Sequence, residues 1–404
     1  MPFPLHLFNP QNFPRLTARR VTLVRFVRAI AGYAAADAAD PDDRGFLLDP
    51  TFANSHGPAF GISGPDGANP AQECRIRVMR DRIEPTAQLF PEIADAGLVT
   101  LVTPAAGSAL NPAGAQPDTI VVRAASAPAA DTSTLLKLHY GSAAGPVIAE
   151  CVIRVHSIHE IPVKGHIVSI NGSKPACDAD KVNTFTTLVT NANKILMPAG
   201  IKLVLDANIL DTPVMGLTTN NTLTLSPPGF AHWDHEIAVI MRANPQPAFL
   251  NAYIVGQIQS GTSINGTRGV GLGRDFVATN AADGVYPGAQ TGFVMYSPDD
   301  LEAFGATFAH ELGHVLGLEH YGNHNDIPGD ATIADNWSMR NLMYNYSNLS
   351  TGAPQDQVGY GPHLISPDIR RGMFIGIKRL AGIVQSNQAD TMRTGFNNDA
   401  YLPV

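Results

Sequence analysis

The sequence predicts a multidomain chain: a β-rich first part built as a sandwich of short strands, then an α/β (α+β) part in which a mixed, twisted sheet packs against helices. Three observations predict it. Between about residues 74 and 157, short β-branched and apolar runs alternate with clusters of Gly, Pro, Asn and Asp, which is strand-and-turn spacing. Beyond residue 161 the hydrophobic period lengthens from two to about 3.6 and then returns, the mark of a strand–helix–strand unit. With 37 glycines and 31 prolines in 404 residues, the chain must also make many turns, which disfavours a helical bundle.

Residues 1–50 read as an N-terminal extension with a short helix over 21–36, where Val24, Val27 and Ile30 recur near helical spacing. Residues 51–160 read as the β-rich domain, with strands expected at 74–78, 97–102, 119–122, 135–140 and 149–155. The run that follows Asn111-Pro112-Ala113-Gly114 looks like a bacterial immunoglobulin-like module, a likeness that implies two packed sheets. The stretch 73–78 echoes 150–155, but a single echo without a fixed period makes no repeat.

Residues 161–404 read as the α/β domain. A strand at 166–170 leads to a helix over 178–196, with Val182, Phe185, Leu188, Val189, Ala192 and Ile195 on one face. Pro198-Ala199-Gly200 stops it, and a strand follows at 201–205. Further strands are expected at 236–241, 251–255 and 292–296, with an irregular glycine-rich stretch at 261–273.

The 27 basic and 35 acidic residues give a formal charge of −8, without a long basic run. Nucleic acid, whose binding depends on neutralising phosphates, is therefore not an expected partner. Nowhere do about 18 apolar residues run uninterrupted, so no membrane span is expected. The start, Met1-Pro2-Phe3-Pro4, has no Sec-type signal pattern. Cys74, Cys151 and Cys177 cannot all pair within the chain and are too few for a disulfide framework. Neither redox compartment nor oligomeric state follows.

The chemistry sits after the strand at 292–296. Ser297-Pro298-Asp299-Asp300 is a helix-start signature, and Leu301, Phe304, Phe308, Leu312 and Val315 then recur at steps of three and four. That helix carries His310-Glu311-Leu312-Gly313-His314-Val315-Leu316-Gly317-Leu318-Glu319-His320, the pattern H-E-x-x-H-x-x-G-x-x-H. Residues i and i+4 share a helix face about 6 Å apart, so His310 and His314 can offer nitrogens to one cation. A third ligand at His320 requires the chain to turn, and Gly317 is where a left-handed residue can end the helix at little steric cost. Three neutral imidazoles leave a zinc ion an open position for water, whose pKa falls from 15.7 toward about 7. Glu311 stands beside that water as general base. His139, His156, His159 and His166 have no partner at metal spacing and read as structural.

These residues resemble the metzincin clan of zinc endopeptidases, whose signature is the extended motif followed by a methionine-bearing turn. Asn341-Leu342-Met343-Tyr344 supplies the second element, and the resemblance makes Met343 an apolar floor under the imidazoles. The likeness covers about residues 165–385 and is greatest to pappalysin-like and matrixin-like catalytic domains. It implies that Gly269, Val270, Gly271, Leu272 and Gly273 form an edge strand able to hold an extended peptide; a plain glycine-rich loop is the other reading. Two features depart from the clan's pattern: Tyr321 follows the third histidine, and Asn345 stands where astacin-like and serralysin-like members carry a tyrosine. Asp326, Asp330 and Asp335 fall in one loop where clustered oxygens could take Ca2+, although acidic loops are usually just solvated.

The expectation is thus a zinc endopeptidase acting on protein or peptide substrates and delivered outside the cell by a non-Sec route, with a cytoplasmic location left open. The alternatives are a peptide-binding or adhesion protein on a protease-like scaffold, or a bacterial effector or toxin protease. Whether residues 1–160 target or inhibit the enzyme is left open.

Overall fold

A computed structural model describes residues 24–29, 59–64, 73–80, 82–110, 118–227, 235–264, 267–273, 290–318, 342–343, 377–380 and 383–403. The first eight described strands are β1 (Val24–Ala29), β2 (Ala59–Ser63), β3 (Glu73–Arg80), β4 (Leu89–Ile93), β5 (Val99–Thr103), β6 (Thr119–Ala124), β7 (Thr132–Tyr140) and β8 (Val147–His156). They form two four-stranded sheets, ordered β1-β3-β6-β5 and β2-β8-β7-β4. All neighbours run antiparallel except β2 and β8. Side chains alternate across a strand, so each sheet can turn one apolar row inward. Cys74, Ile76 and Val78 from β3 meet Leu136, Leu138, Cys151, Ile153 and Val155 from the other sheet in one core. None of the three cysteines forms a disulfide.

The helix expected over 21–36 is corrected where it is described: residues 24–29 are strand β1, paired with β3 from Val24↔Arg80 to Ala29↔Arg75. Val24 and Phe26, two residues apart, are both buried. Backbone pairing and burial at period two outweigh the weak helical preference of three spaced apolar residues. Strands β2 and β4 had no counterpart in the sequence reading.

The second part opens with β9 (His159–Ile170), a 3-10 turn at Ala176–Asp180, α1 (Lys181–Leu196) and β10 (Ile201–Leu205), with β10 parallel to β9. Phe185, Leu188, Val189, Ala192 and Ile195 are the buried face of α1, whereas Val182 stays exposed. Gly200, at φ 71°, closes the helical segment by donating its N–H to Met197 O over 2.8 Å. There follow β11 (Leu210–Val214), β12 (Thr222–Leu225), α2 (His235–Arg242), β13 (Leu250–Val255), β14 (Gln257–Ser260), β15 (Ser263–Ile264), β16 (Gly269–Leu272) and β17 (Gly292–Tyr296). The main sheet runs β10-β9-β13-β17-β16, with β11 also on β9. Among its described strands only β16 is antiparallel.

The strand expected at 236–241 is a helix, α2. Its apolar run is unbroken, so periodicity alone could not separate strand from buried helix. What decides is Glu236, buried in the first turn, whose two carboxylate oxygens accept backbone N–H groups of Thr218 (2.8 Å) and Thr224 (2.6 Å).

The chain closes with α3 (Leu301–Val315), the hairpin β18 (Ile377–Leu380) and β19 (Ile383–Asn387), and α4 (Gln388–Asn397). Described core residues fall into two clusters, one built from residues up to 155 and one from 161 onward. α4 ties them together. Arg393 reaches Asp131 Oδ1 at 2.6 Å and donates to the carbonyls of Ser157 (3.0 Å) and Ala199 (3.1 Å).

Candidate metal centre

Helix α3 is held by its apolar stripe. Phe304 and Phe308 meet Tyr296 and Phe293 of β17 edge-on, with ring centroids 5.0 and 4.7 Å apart. Gly305 faces Asn191 of α1 so closely that no Cβ fits, which lets the two helices touch. The same packing fixes which way residues 310, 311 and 314 point.

The rings of His310 and His314 lie 4.9 Å apart, nearly perpendicular. His310 Nδ1 lies against the carbonyl of Leu342, and His314 Nδ1 lies 2.8 Å from the carbonyl of Leu318. A carbonyl only accepts, so each Nδ1 carries the hydrogen and each lone pair is placed on Nε2. Such outer hydrogen bonds fix the tautomer and ring orientation of metal-binding histidines. Burial also holds the His314 imidazole below its ordinary pKa, against the bond to Leu318, and so favours the neutral, ligating form.

The helix ends in a left-handed turn. Gly317 has φ 91°, its N–H donates to His314 O (3.0 Å), and Leu318 N–H donates to Gly313 O (2.8 Å). This is a Schellman arrangement. It also carries the Leu318 carbonyl back to His314, so one turn both stops the helix and orients a ring.

Met343 is fully buried, and its sulfur lies against Gly313, where a Cβ would collide with it. Leu342, its neighbour, is the acceptor for His310. The 342–343 segment therefore touches the helix at two points, His310 and Gly313.

Glu311 is 4% exposed, packed against β16. Burial raises its carboxyl pKa to about 8, opposed by a hydrogen bond from the Gly271 backbone. Among the described residues, β16 ends the main sheet, paired on one side with β17. Gly269, Gly271 and Gly273 turn toward α3, while Leu272 is buried and Val270 partly buried.

Among the described residues, no three His, Cys, Asp or Glu side chains converge to hold a metal. His310 and His314 contribute two nitrogens; His320 lies outside the described residues, as do Asp326, Asp330, Asp335, Tyr321 and Asn345. The sequence reading missed the Leu318 and Leu342 carbonyls, which no residue type announces. Gly313 could have been found, since a glycine inside a helix costs about 1 kcal/mol against alanine and often marks a close approach.

In class, this is a helix bearing two oriented imidazoles and an adjacent carboxyl group, on a chain that resembles serralysins over part of its length. In particular, the chain is 31% identical over 104 residues to Serralysin A of Dickeya chrysanthemi, a match covering 26% of this chain and 21% of that protein. With Serralysin C of the same organism it is 32% identical over 109 residues, with the same shares covered. The chain thus matches about a fifth of the length of these curated relatives. No family model matches. A solved Bacteroides ovatus GH5 xyloglucanase in complex with a XXXG heptasaccharide aligns over 84% of this chain and 98% of its own, at 6% identity and a TM-score of 0.17, a value that carries no fold assignment.

Proposed function

We propose that the chain is a zinc-dependent endopeptidase of the metzincin type. The observation that carries this reading is the pair His310 and His314, whose Nδ1 atoms are tied to the carbonyls of Leu342 and Leu318 so that two Nε2 lone pairs stand one helical turn apart beside Glu311. The partial likeness to serralysins supports it. The donor set fits zinc: two imidazoles oriented by carbonyls at their Nδ1 atoms, and His320 at the third position of the motif.

Zinc bound by His310, His314 and His320 would supply Lewis acidity at the scissile carbonyl. Glu311 takes the proton from the attacking water and returns it to the leaving amine, so it is a base in one step and an acid in the next. Met343 and Leu342 fix the floor beneath the histidines. β16, a sheet edge beside the helix, can take an extended peptide by strand addition.

No described helix is long and apolar enough to cross a membrane. Delivery outside the cell belongs to the same proposal and is tested by locating the protein in fractions of the producing strain; finding it confined to the cytosol under all conditions removes it.

Glu311→Gln tests the chemistry. It should retain zinc and lose cleavage of a mixed peptide pool read by mass spectrometry. If wild type and variant both hold zinc and neither cuts any peptide, the chain is a binding module rather than an enzyme.

A further inference from the structure

The glycines of β16 do more than tolerate a tight turn. Gly269 and Gly271 alternate along the strand, Gly273 follows directly after it, and all three face helix α3. A Cβ on Gly269 would lie 2.6 Å from Glu311 Oε1 and 2.7 Å from its Cγ. One on Gly271 would lie 2.6 Å from the Glu311 carbonyl oxygen and 3.1 Å from His314 Cβ. One on Gly273 would lie 3.0 Å from the His314 carbonyl oxygen. The strand backbone therefore rests directly on the segment that carries the candidate base and the second histidine.

Register adds a second point. β16 pairs antiparallel with β17 through Gly269↔Met295, Val270↔Val294, Gly271↔Phe293 and Leu272↔Gly292, and Tyr296 N–H donates to Arg268 O. Antiparallel ladders alternate, so residues 268, 270 and 272 turn their amides to β17 while 269 and 271 turn theirs to the side away from it.

We propose that Gly269 and Gly271 are positioning residues for Glu311: the missing side chain at 269 makes the space the carboxyl group occupies, and the missing side chain at 271 lets the strand rest on the backbone of residue 311 and hold it against the sheet. This deepens the peptidase reading and rests on it. The strand available to align a peptide is then also the strand that aims the base, so substrate register and proton transfer share one reference.

Gly269→Ala is the informative variant, because its methyl meets the mobile end of a side chain rather than backbone. A catalytic group misplaced by about 1 Å can cost on the order of 100-fold. Gly269→Ala should lower kcat by about 10- to 100-fold on a peptide substrate, with KM and bound zinc unchanged. It should also lower the melting temperature with Glu311 present but not in the Glu311→Ala background, where the colliding atoms are gone. The proposal is overturned if kcat is unchanged, or if Gly269→Ala shifts the melting temperature equally in both backgrounds. Should the wild-type chain cleave nothing, the peptidase reading fails by itself, and the melting comparison still decides whether residue 269 and the Glu311 side chain share this space.

Discussion

A histidine whose Nδ1 faces a carbonyl has already chosen the nitrogen that can bind a metal, and at His310 and His314 that choice is made by Leu342 and Leu318. The histidines could be read from the motif, because a helix stacks positions i and i+4 whatever surrounds it. Their acceptors could not, because one carbonyl comes from a turn and the other from a segment 32 residues away. Gly313 gives a test whose sign discriminates. In an ordinary helix interior, Gly→Ala stabilises by about 1 kcal/mol; here the added methyl collides with the Met343 sulfur. Gly313→Ala should instead destabilise by about 1–3 kcal/mol, as overpacking does, and should speed zinc loss to a chelator. Stabilisation in urea unfolding with unchanged zinc retention would count against the Met343 contact.

Elements were legible where one signal dominated. Helices α1 and α3 follow long 3.6-residue patterns, and β13 and β17 follow short apolar runs. Misreadings fall where local pattern was ambiguous and long-range contact decided: β1 by pairing with β3, α2 by the Glu236 carboxylate. The turn after α3 predicts a modest cost, since a side chain at Gly317 must accept φ 91°. Gly317→Ala should lose about 1–2 kcal/mol in a melt, and no loss would show that the helix can end another way. On β9, His166 is fully buried; Asn251 Oδ1 lies 2.9 Å from its Nε2 and Thr212 Oγ1 2.9 Å from its Nδ1. Burial lowers its pKa from 6.5 to about 4, against the bond to Asn251. Between those values the unfolded chain binds the proton and the folded chain does not. This contribution is present above pH 6.5 and is lost as pH falls toward 4, a difference of about 3 kcal/mol. His166→Gln should remove that part of the pH dependence; identical slopes for both proteins would contradict it.

Across the molecule, the last helix is bound to the first part of the chain through Arg393 and Asp131. Burial alone would raise the Asp131 carboxyl pKa. His156, the Ser157 backbone and the Arg393 guanidinium outweigh it and hold that pKa well below the usual carboxylate range. The stability this gives is present above about pH 3.8 and is lost as the pH falls below it. Asp131→Asn should flatten acid unfolding below pH 4, seen by circular dichroism, and an unchanged acid slope would count against the link. Nothing in sequence joins residues 131 and 393, because an ion pair 262 positions apart leaves no local pattern. The most direct test of the whole account is elemental analysis of the purified, folded full chain beside His310→Ala and His314→Ala. One zinc per chain in the wild type and its loss in both variants is the predicted result; a metal-free wild type, or variants that keep the metal, would contradict the account at its centre.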